Sequence, residues 1–193
     1  MKLIMKKLLF ALFSLLALPL LVLFFIFGLL FNRDQLFASF SQFLSLLPGK
    51  LGSYFRVGFY RWIMQDCHPE VVISFGTLFS HADTEIGQGT YIGPQGNIGL
   101  CAIAADCLLG SGVHILSGKN QHNFADLDTP LKDQGGTFTK ISIGKDTWIG
   151  NGAIVMSNVG KKCVIAAGAV VVSDIPDYAI VGGNPAKIIK FRQ

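Results

Sequence analysis

The sequence predicts an all-β fold, a parallel β-helix, that carries an N-terminal membrane-associated helical segment. Three observations predict it: a six-residue repeat from Ile86 to Ile175, an uncharged apolar stretch from Leu8 to Phe31, and a polar interruption of the repeat at residues 117–140. The repeat is read in four runs. Ile86-Gly87, Ile92-Gly93 and Ile98-Gly99 form the first, and Ile103-Ala104, Leu109-Gly110 and Ile115-Leu116 the second. Ile143-Gly144, Ile149-Gly150 and Val155-Met156 follow, then Val159-Gly160, Ile165-Ala166 and Val171-Val172. A strand this short cannot bury its aliphatic residue alone, so stacked coils must supply a continuous core. The small residue after each aliphatic, and the glycines, allow tight corners where φ is positive or backbones approach closely.

The apolar stretch comes first in the chain. Hydrophobic residues make up 51% of the 193 residues, and the mean hydropathy is +0.50. The excess is concentrated in Leu8–Phe31, 24 residues without a charge, against roughly 20 needed to cross a bilayer. A cleaved signal peptide fits less well, because its apolar region is about 7–15 residues and ends in small side chains. Here the run ends in Leu29-Leu30-Phe31-Asn32-Arg33. The net charge of +4 has an address too. Residues 1–66 hold Lys2, Lys6, Lys7, Arg33, Lys50, Arg56 and Arg61 against Asp34 and Asp66. Basic residues beside an apolar helix suit an anionic leaflet. No basic stripe with interleaved aromatics continues into the repeat, which excludes a nucleic-acid partner.

Three regions follow: residues 1–34, a hydrophobic membrane segment; 35–66, an amphipathic helical region rich in basic and aromatic residues; and 67–193, the β-helix with its loop 117–140 and tail 176–193. Leu36, Phe37, Phe40, Phe43, Leu44 and Leu47 recur at three- and four-residue steps and stop at Pro48-Gly49, which predicts a helix. That helix and the aromatics after it either lie in the membrane interface or pack on the base of the solenoid. Cys67, Cys101, Cys107 and Cys163 form no CxxC pair and read as small buried hydrophobes of a reducing compartment.

A long loop inside a repeat array is usually functional. Around Gln121-His122-Asn123, at Ile143-Gly144-Lys145-Asp146-Thr147-Trp148-Ile149-Gly150, and from Asp174-Ile175-Pro176 to Gly183-Asn184-Pro185-Ala186-Lys187, the chain resembles the hexapeptide-repeat acyltransferases of the maltose, galactoside and polysaccharide O-acetyltransferase type. The resemblance covers about residues 71–190. It implies a left-handed β-helix, a homotrimer with active sites between subunits, and acetyl-CoA as acyl donor, with no metal. It implies His122 as general base, Trp148 and Asn123 beside the acceptor and cofactor cleft, Asn151, Ala167 and Gly168 offering backbone groups to the pantetheine arm, and Lys187 and Lys190 meeting CoA phosphates. Ser173 stands where relatives often carry a basic residue, and Val155-Met156-Ser157-Asn158 is two residues short of a hexad.

The chemistry asks for such a histidine independently. A sugar hydroxyl is a weak nucleophile and must lose its proton as it attacks a thioester, and imidazole titrates in the right range. A neighbouring carboxylate or carbonyl would fix the ring tautomer, with Asp126 and Asp128 as the candidates. His114 is the competing base; His68 and His81 read as structural. The expected function is acetyl-CoA-dependent O- or N-acetylation of a sugar or lipid-linked glycan precursor, by direct attack without a covalent enzyme intermediate. Two alternatives are a γ-type zinc carbonic anhydrase, which needs three converging histidines from His81, His114 and His122, and a non-enzymatic membrane-tethered scaffold. Use of acetyl-CoA places the solenoid on the cytoplasmic side of the inner membrane. The lysines at the N-terminus also favour that side, so the apolar segment either bends near Pro19 and re-enters the same leaflet or spans with its N-terminus outside.

Overall fold

In the computed structural model the backbone is described for residues 2–193 and the side chains for residues 8–193; the side chains of Lys2, Lys6 and Lys7 lie outside the described residues. Four helices precede a three-sided parallel solenoid: α1 (Lys2–Leu16), α2 (Leu18–Phe27), α3 (Arg33–Ser45) and α4 (Gly49–Ile63). Face A of the solenoid stacks β1 (Asp66–Cys67), β4 (Glu85–Ile86), β7 (Cys101–Ile103) and β10 (Ile141–Ile143). Face B stacks β2 (Val72–Ile73), β5 (Tyr91–Ile92), β8 (Leu108–Leu109), β11 (Trp148–Ile149), β13 (Val164–Ile165) and β15 (Ala179–Gly182), and β16 (Lys187–Phe191) closes it antiparallel. Face C stacks β3 (Leu78–Phe79), β6 (Asn97–Ile98), β9 (His114–Ile115), β12 (Ile154–Val155) and β14 (Val170–Val171).

The repeat fixes which residue points inward. Ile92, Leu109, Ile149, Ile165 and Val181 are fully buried along face B, and their predecessors in each strand face outward. A second set of small buried residues lines the corners, among them Thr90, Cys107, Thr147, Cys163 and Ala169. The buried threonine hydroxyls donate to carbonyls of the neighbouring coil, Thr90 to Ala104 at 2.9 Å and Thr147 to Gly160 at 2.9 Å. Those corners therefore leave no buried hydroxyl unpaired.

The two glycine roles separate cleanly. A Cβ on Gly144 would lie 2.3 Å from the Lys161 nitrogen, and one on Gly150 2.5 Å from that of Ala167, so the residue after the aliphatic must be small at these corners of faces A and B for coils to stack. Two residues further on the backbone turns left-handed, as at Gly168 with φ +67° and at Asp146 with φ +56°. The irregular corner lies between faces C and A. Val155 is followed by Val159 on the next face, and Ile149 stacks on Ile165, 16 residues on rather than about 18 for three full hexads. A polar ladder closes this short corner: Asn158 accepts from the Ser142 N–H, and Asp174 from the Asn158 N–H. Loop 117–140 is inserted at the same corner.

The helical region after residue 32 packs on the base of the solenoid. Helix α3 lies against β3, and α4 against β1 and β2. Asn32 caps α3 by accepting from the Asp34 and Gln35 N–H groups, and the chain turns at Pro48 into α4. Ser41 links the layers, accepting from the Tyr60 hydroxyl and from the Phe79 N–H. Arg56, read from sequence as one of the membrane-flanking cations, is instead fully buried. Its guanidinium donates to the carbonyls of Ile73, Leu44 and Leu47. Leu44 lies in the last turn of α3 and Leu47 just past its end, where the helix dipole favours a cation. Arg33 is occupied as well, bonded to Asp83 at 2.7 Å and to the Ile63 carbonyl. The apolar stretch breaks at Ala17, with Pro19 in the first turn of α2, and α1 and α2 meet at a 45° bend.

Candidate active site

Loop 117–140 is rooted firmly. The Ser117 hydroxyl accepts from the Leu100 N–H at 2.8 Å, and its carbonyl from the Thr139 N–H at 2.9 Å. The two arms then pair: Thr137 N–H donates to the Asn120 carbonyl, and Asn123 N–H to the Gly135 carbonyl. A Cβ on Gly136 would fall 1.9 Å from the Gln121 oxygen and 2.8 Å from the His122 nitrogen. Gly136 is thus pressed against the peptide that carries His122, a role sequence reasoning missed although the Gly135-Gly136 pair marked the place. Gln134 is a second omission. Its side chain donates to the Asp126 and Thr129 carbonyls and accepts from the Asp126 N–H, pinning the loop tip.

His122 is exposed, and its ring makes no hydrogen bond among the described residues. Neither carboxylate named from sequence orients it here. Asp126 accepts from the Thr129 hydroxyl and from the Asp128 and Thr129 N–H groups, and these bonds, the hydroxyl first, hold its carboxyl below the usual range. Asn123 spends its side-chain amide on the Gln134 carbonyl. His114 points outward from face C and shares a groove with Ser80, Asn97, Gly99, Ser117 and Gln121. His81 adjoins that groove without lining it, its Nδ1 2.8 Å from the Ser80 hydroxyl and its ring against Phe138 of the loop. His68 accepts from the Glu70 N–H. Among the described residues no three His, Cys, Asp or Glu side chains gather as a metal site would need.

The remaining predicted residues assemble at another corner. Trp148 stands outward on face B, half exposed, between Leu108 and Val164. The turns that leave face B toward face C stack Asn151 over Ala167 and Gly168, with the Gly168 N–H donating to the Asn151 carbonyl. Asn151 uses its side-chain oxygen to accept from the Ser111 N–H at 3.1 Å. The exposed Ala167 N–H has no acceptor among the described residues. Lys187 and Lys190 lie on β16, exposed and outside every ion pair found there. Within one chain, then, face C separates two groups: His122, Asn123 and the His114 groove at one edge, and Trp148 with the Asn151–Ala167–Gly168 ledge at the other. A groove of about 570 Å³ runs along face A past Asp66, Glu85 and Asp177 and is lined by none of the predicted site residues.

No protein-family model matches the chain. A probable acetyltransferase of Mycobacterium tuberculosis is 45% identical over 74 residues, 37% of this chain and 25% of that protein, so the match spans about a quarter of the relative's length. A maltose O-acetyltransferase from Clostridium difficile superimposes with a TM-score of 0.63 at 19% identity, covering 84% of this chain and 90% of its own. A hexapeptide-repeat acetyltransferase from Vibrio cholerae gives 0.63 at 21% identity, covering 85% and 95%. The fold is that of the hexapeptide-repeat acyltransferases. Its coils therefore wind as the left-handed β-helix expected from the resemblance. A more distant neighbour, an N-acyltransferase from Bacillus cereus bound to dTDP and coenzyme A, superimposes with a TM-score of 0.54 at 20% identity, covering 64% of this chain and 71% of that one.

Proposed function

We propose that this chain is an acetyl-CoA-dependent acetyltransferase acting on a sugar, with His122 as general base, in a homotrimer whose sites are shared between chains. The observation that carries the reading is the division of the predicted site: one chain holds its loop histidine and its ledge at opposite edges of face C, both exposed, with the His122 ring and the Ala167 N–H unbonded among the described residues. A second copy would bring one chain's loop to another's ledge. The apolar surface left open fits such a contact. Phe124, Leu127 and Leu131 are exposed on the loop, and Val72, Tyr91, Leu108 and Trp148 form an exposed apolar stripe on face B. Closed cyclic symmetry would satisfy all copies at once.

In this reading the His122 imidazole accepts the proton of the acceptor hydroxyl or amine as its heteroatom attacks the thioester carbonyl. The tetrahedral intermediate collapses with loss of the C–S bond, and the imidazolium returns the proton to the leaving thiolate, so that CoA departs as a thiol. The Ala167 N–H is a free donor for a carbonyl of the pantetheine arm, and the unpaired Lys187 and Lys190 suit phosphates as point charges. The donor places the solenoid on the cytoplasmic side of the membrane.

The test is transfer of radiolabelled acetyl from acetyl-CoA to extracted lipid-linked glycans. His122→Ala is expected to lower turnover about 10²–10⁴-fold, with CoA binding and folding retained, because the side chain is exposed and unbonded. Near-full turnover in His122→Ala with loss in His114→Ala would overturn the assignment.

A further inference from the structure

The strongest feature the transferase reading leaves unused is the outer surface of α1 and α2. An inner stripe of Ser14, Ala17, Leu21 and Phe24 is buried and runs through the 45° bend without interruption. That stripe is held by the helices beneath. Phe10 and Phe13 pack on Tyr54 of α4, Phe24 packs on Phe40 and Phe59, and a Cβ on Gly58 would lie 2.7 Å from the Phe13 oxygen. Helix α4 in turn rests on β1 and β2. The layers therefore run solenoid, then α3 and α4, then α1 and α2. On the outermost layer Leu15, Val22, Phe25, Leu29 and Leu30 are exposed, and no charged side chain interrupts the segment from Leu8 to Phe31.

We infer that this outer face is a docking surface for an anionic lipid bilayer, with α1 and α2 lying in the plane of the interface instead of crossing the membrane. Three observations favour that occupant. Helix α1 has 15 residues and α2 has 10, each short of the roughly 20 that a span requires. A span through both would expose the inner stripe to lipid on all sides, and that stripe is already packed against Tyr54, Phe40 and Phe59. The flanks are basic: Lys2, Lys6 and Lys7 precede the segment with no acid before Asp34, and Lys50 and Arg61 sit beside the exposed Leu51 and Trp62. Arg61 lies over the Trp62 ring, 5.5 Å from its centroid, a pairing suited to the headgroup region.

The test uses the full-length protein in vesicles of phosphatidylcholine and phosphatidylglycerol. An environment-sensitive fluorophore is placed on single cysteines at Leu15→Cys, Val22→Cys and Leu30→Cys; the four native thiols are buried and serve as the unlabelled background. Lipids spin-labelled at known depths then report position. In-plane docking predicts one shallow depth for all three sites, about 5–10 Å below the headgroups. A graded profile, with Val22 near the bilayer centre and Leu30 at its edge, would overturn the inference in favour of a span. Absence of quenching at all three, with a lipid-independent oligomer persisting, would overturn it in favour of a second copy. Lys50→Glu with Arg61→Glu is expected to reduce partition into anionic vesicles severalfold, while unchanged partition would refute the basic rim. The depth profile does not depend on catalysis, so its failure and failure of the transferase reading are separate results.

Discussion

The solenoid and its helical base hide apolar side chains by different means. In the solenoid every inward aliphatic is covered by its neighbours above and below, at a register set by six-residue units, and stability is spread over many similar contacts. The base relies on a few individual groups. Arg56 joins α3, α4 and β2 through one guanidinium, Ser41 joins α3, α4 and β3 through one hydroxyl, and the outermost helices leave half of their surface bare. A repeat closes on itself; an irregular layer is only as secure as its scarce polar links. The difference predicts large single-residue effects in the base and graded ones in the coils.

Arg56→Ala should therefore be the most damaging single change to the fold. It takes the guanidinium from the carbonyls of Ile73, Leu47 and Leu44, of which Leu44 keeps the Leu47 N–H, and opens a cavity, which together cost about 3–5 kcal/mol. Burial lowers the Arg56 pKa from its ordinary value, yet four donated bonds explain how the charge is kept. Arg56→Lys should not rescue it, since an ammonium lacks the planar fork. Chemical denaturation of the detergent-solubilised protein measures both; a loss under 1 kcal/mol would break the contrast.

In the coils Gly144→Ala should cost about 1–3 kcal/mol by forcing the Lys161 backbone aside. Thr147→Val is nearly isosteric and should cost about 1–2 kcal/mol, because the Gly160 carbonyl and the Cys163 N–H both lose the hydroxyl. If Thr147→Val proves as harmful as Arg56→Ala, stability is not distributed as the repeat implies.

The thiols give a pH-dependent effect. Burial pushes Cys67 and Cys101 up to about 12 from an ordinary 9.0. Above pH 9.0 the unfolded chain loses these protons while the folded chain keeps them, so the contribution is present below that value and fades as pH rises toward about 12. Stability should fall over that window, and a disulfide reagent at pH 8 should find no reactive thiol until the protein unfolds. Rapid native-state labelling would contradict this. The smallest effect concerns the base as a spacer. Coils rise by about 4.8 Å, so if the outer helices dock on a bilayer as inferred, Trp148 in the fourth coil would stand about 25 Å from it once a helix layer of about 10 Å is added. A lipid-linked acceptor in vesicles should be turned over faster than the same glycan free in solution; equal rates would remove this role.

Much of the solenoid was legible because its period is local. Ile149 and Ile165 declare their places from spacing alone, and Gly144 and Gly150 from the small size stacking demands. Arg56 was not legible. Its burial depends on carbonyls at Leu44, Leu47 and Ile73, which no local pattern links, so it read as one more flanking cation. The loop showed the same limit. The sequence marked His122, but the contacts that seat it come from Gly136 and Gln134 on the opposite arm, and Asp126 turned out to serve Thr129. The bend at Pro19 was legible from proline chemistry, whereas the inner stripe of Ser14, Ala17, Leu21 and Phe24 needed α4 and α3 in place to be recognised.

The central claim is the proposal that the catalytic site is divided between chains, since His122 lies on the loop at one edge of face C and Trp148 on face B, beyond its other edge. Subunit mixing tests it directly. His122→Ala and Trp148→Ala chains, each expected to be inactive alone, are unfolded together in equal amounts, refolded and assayed for acetyl transfer. A shared site in a cyclic trimer predicts recovery of about one quarter of wild-type activity, because every mixed trimer regains one intact loop–ledge pair. Mixtures as inactive as the separate variants, in samples proven to contain mixed oligomers, would contradict a divided site.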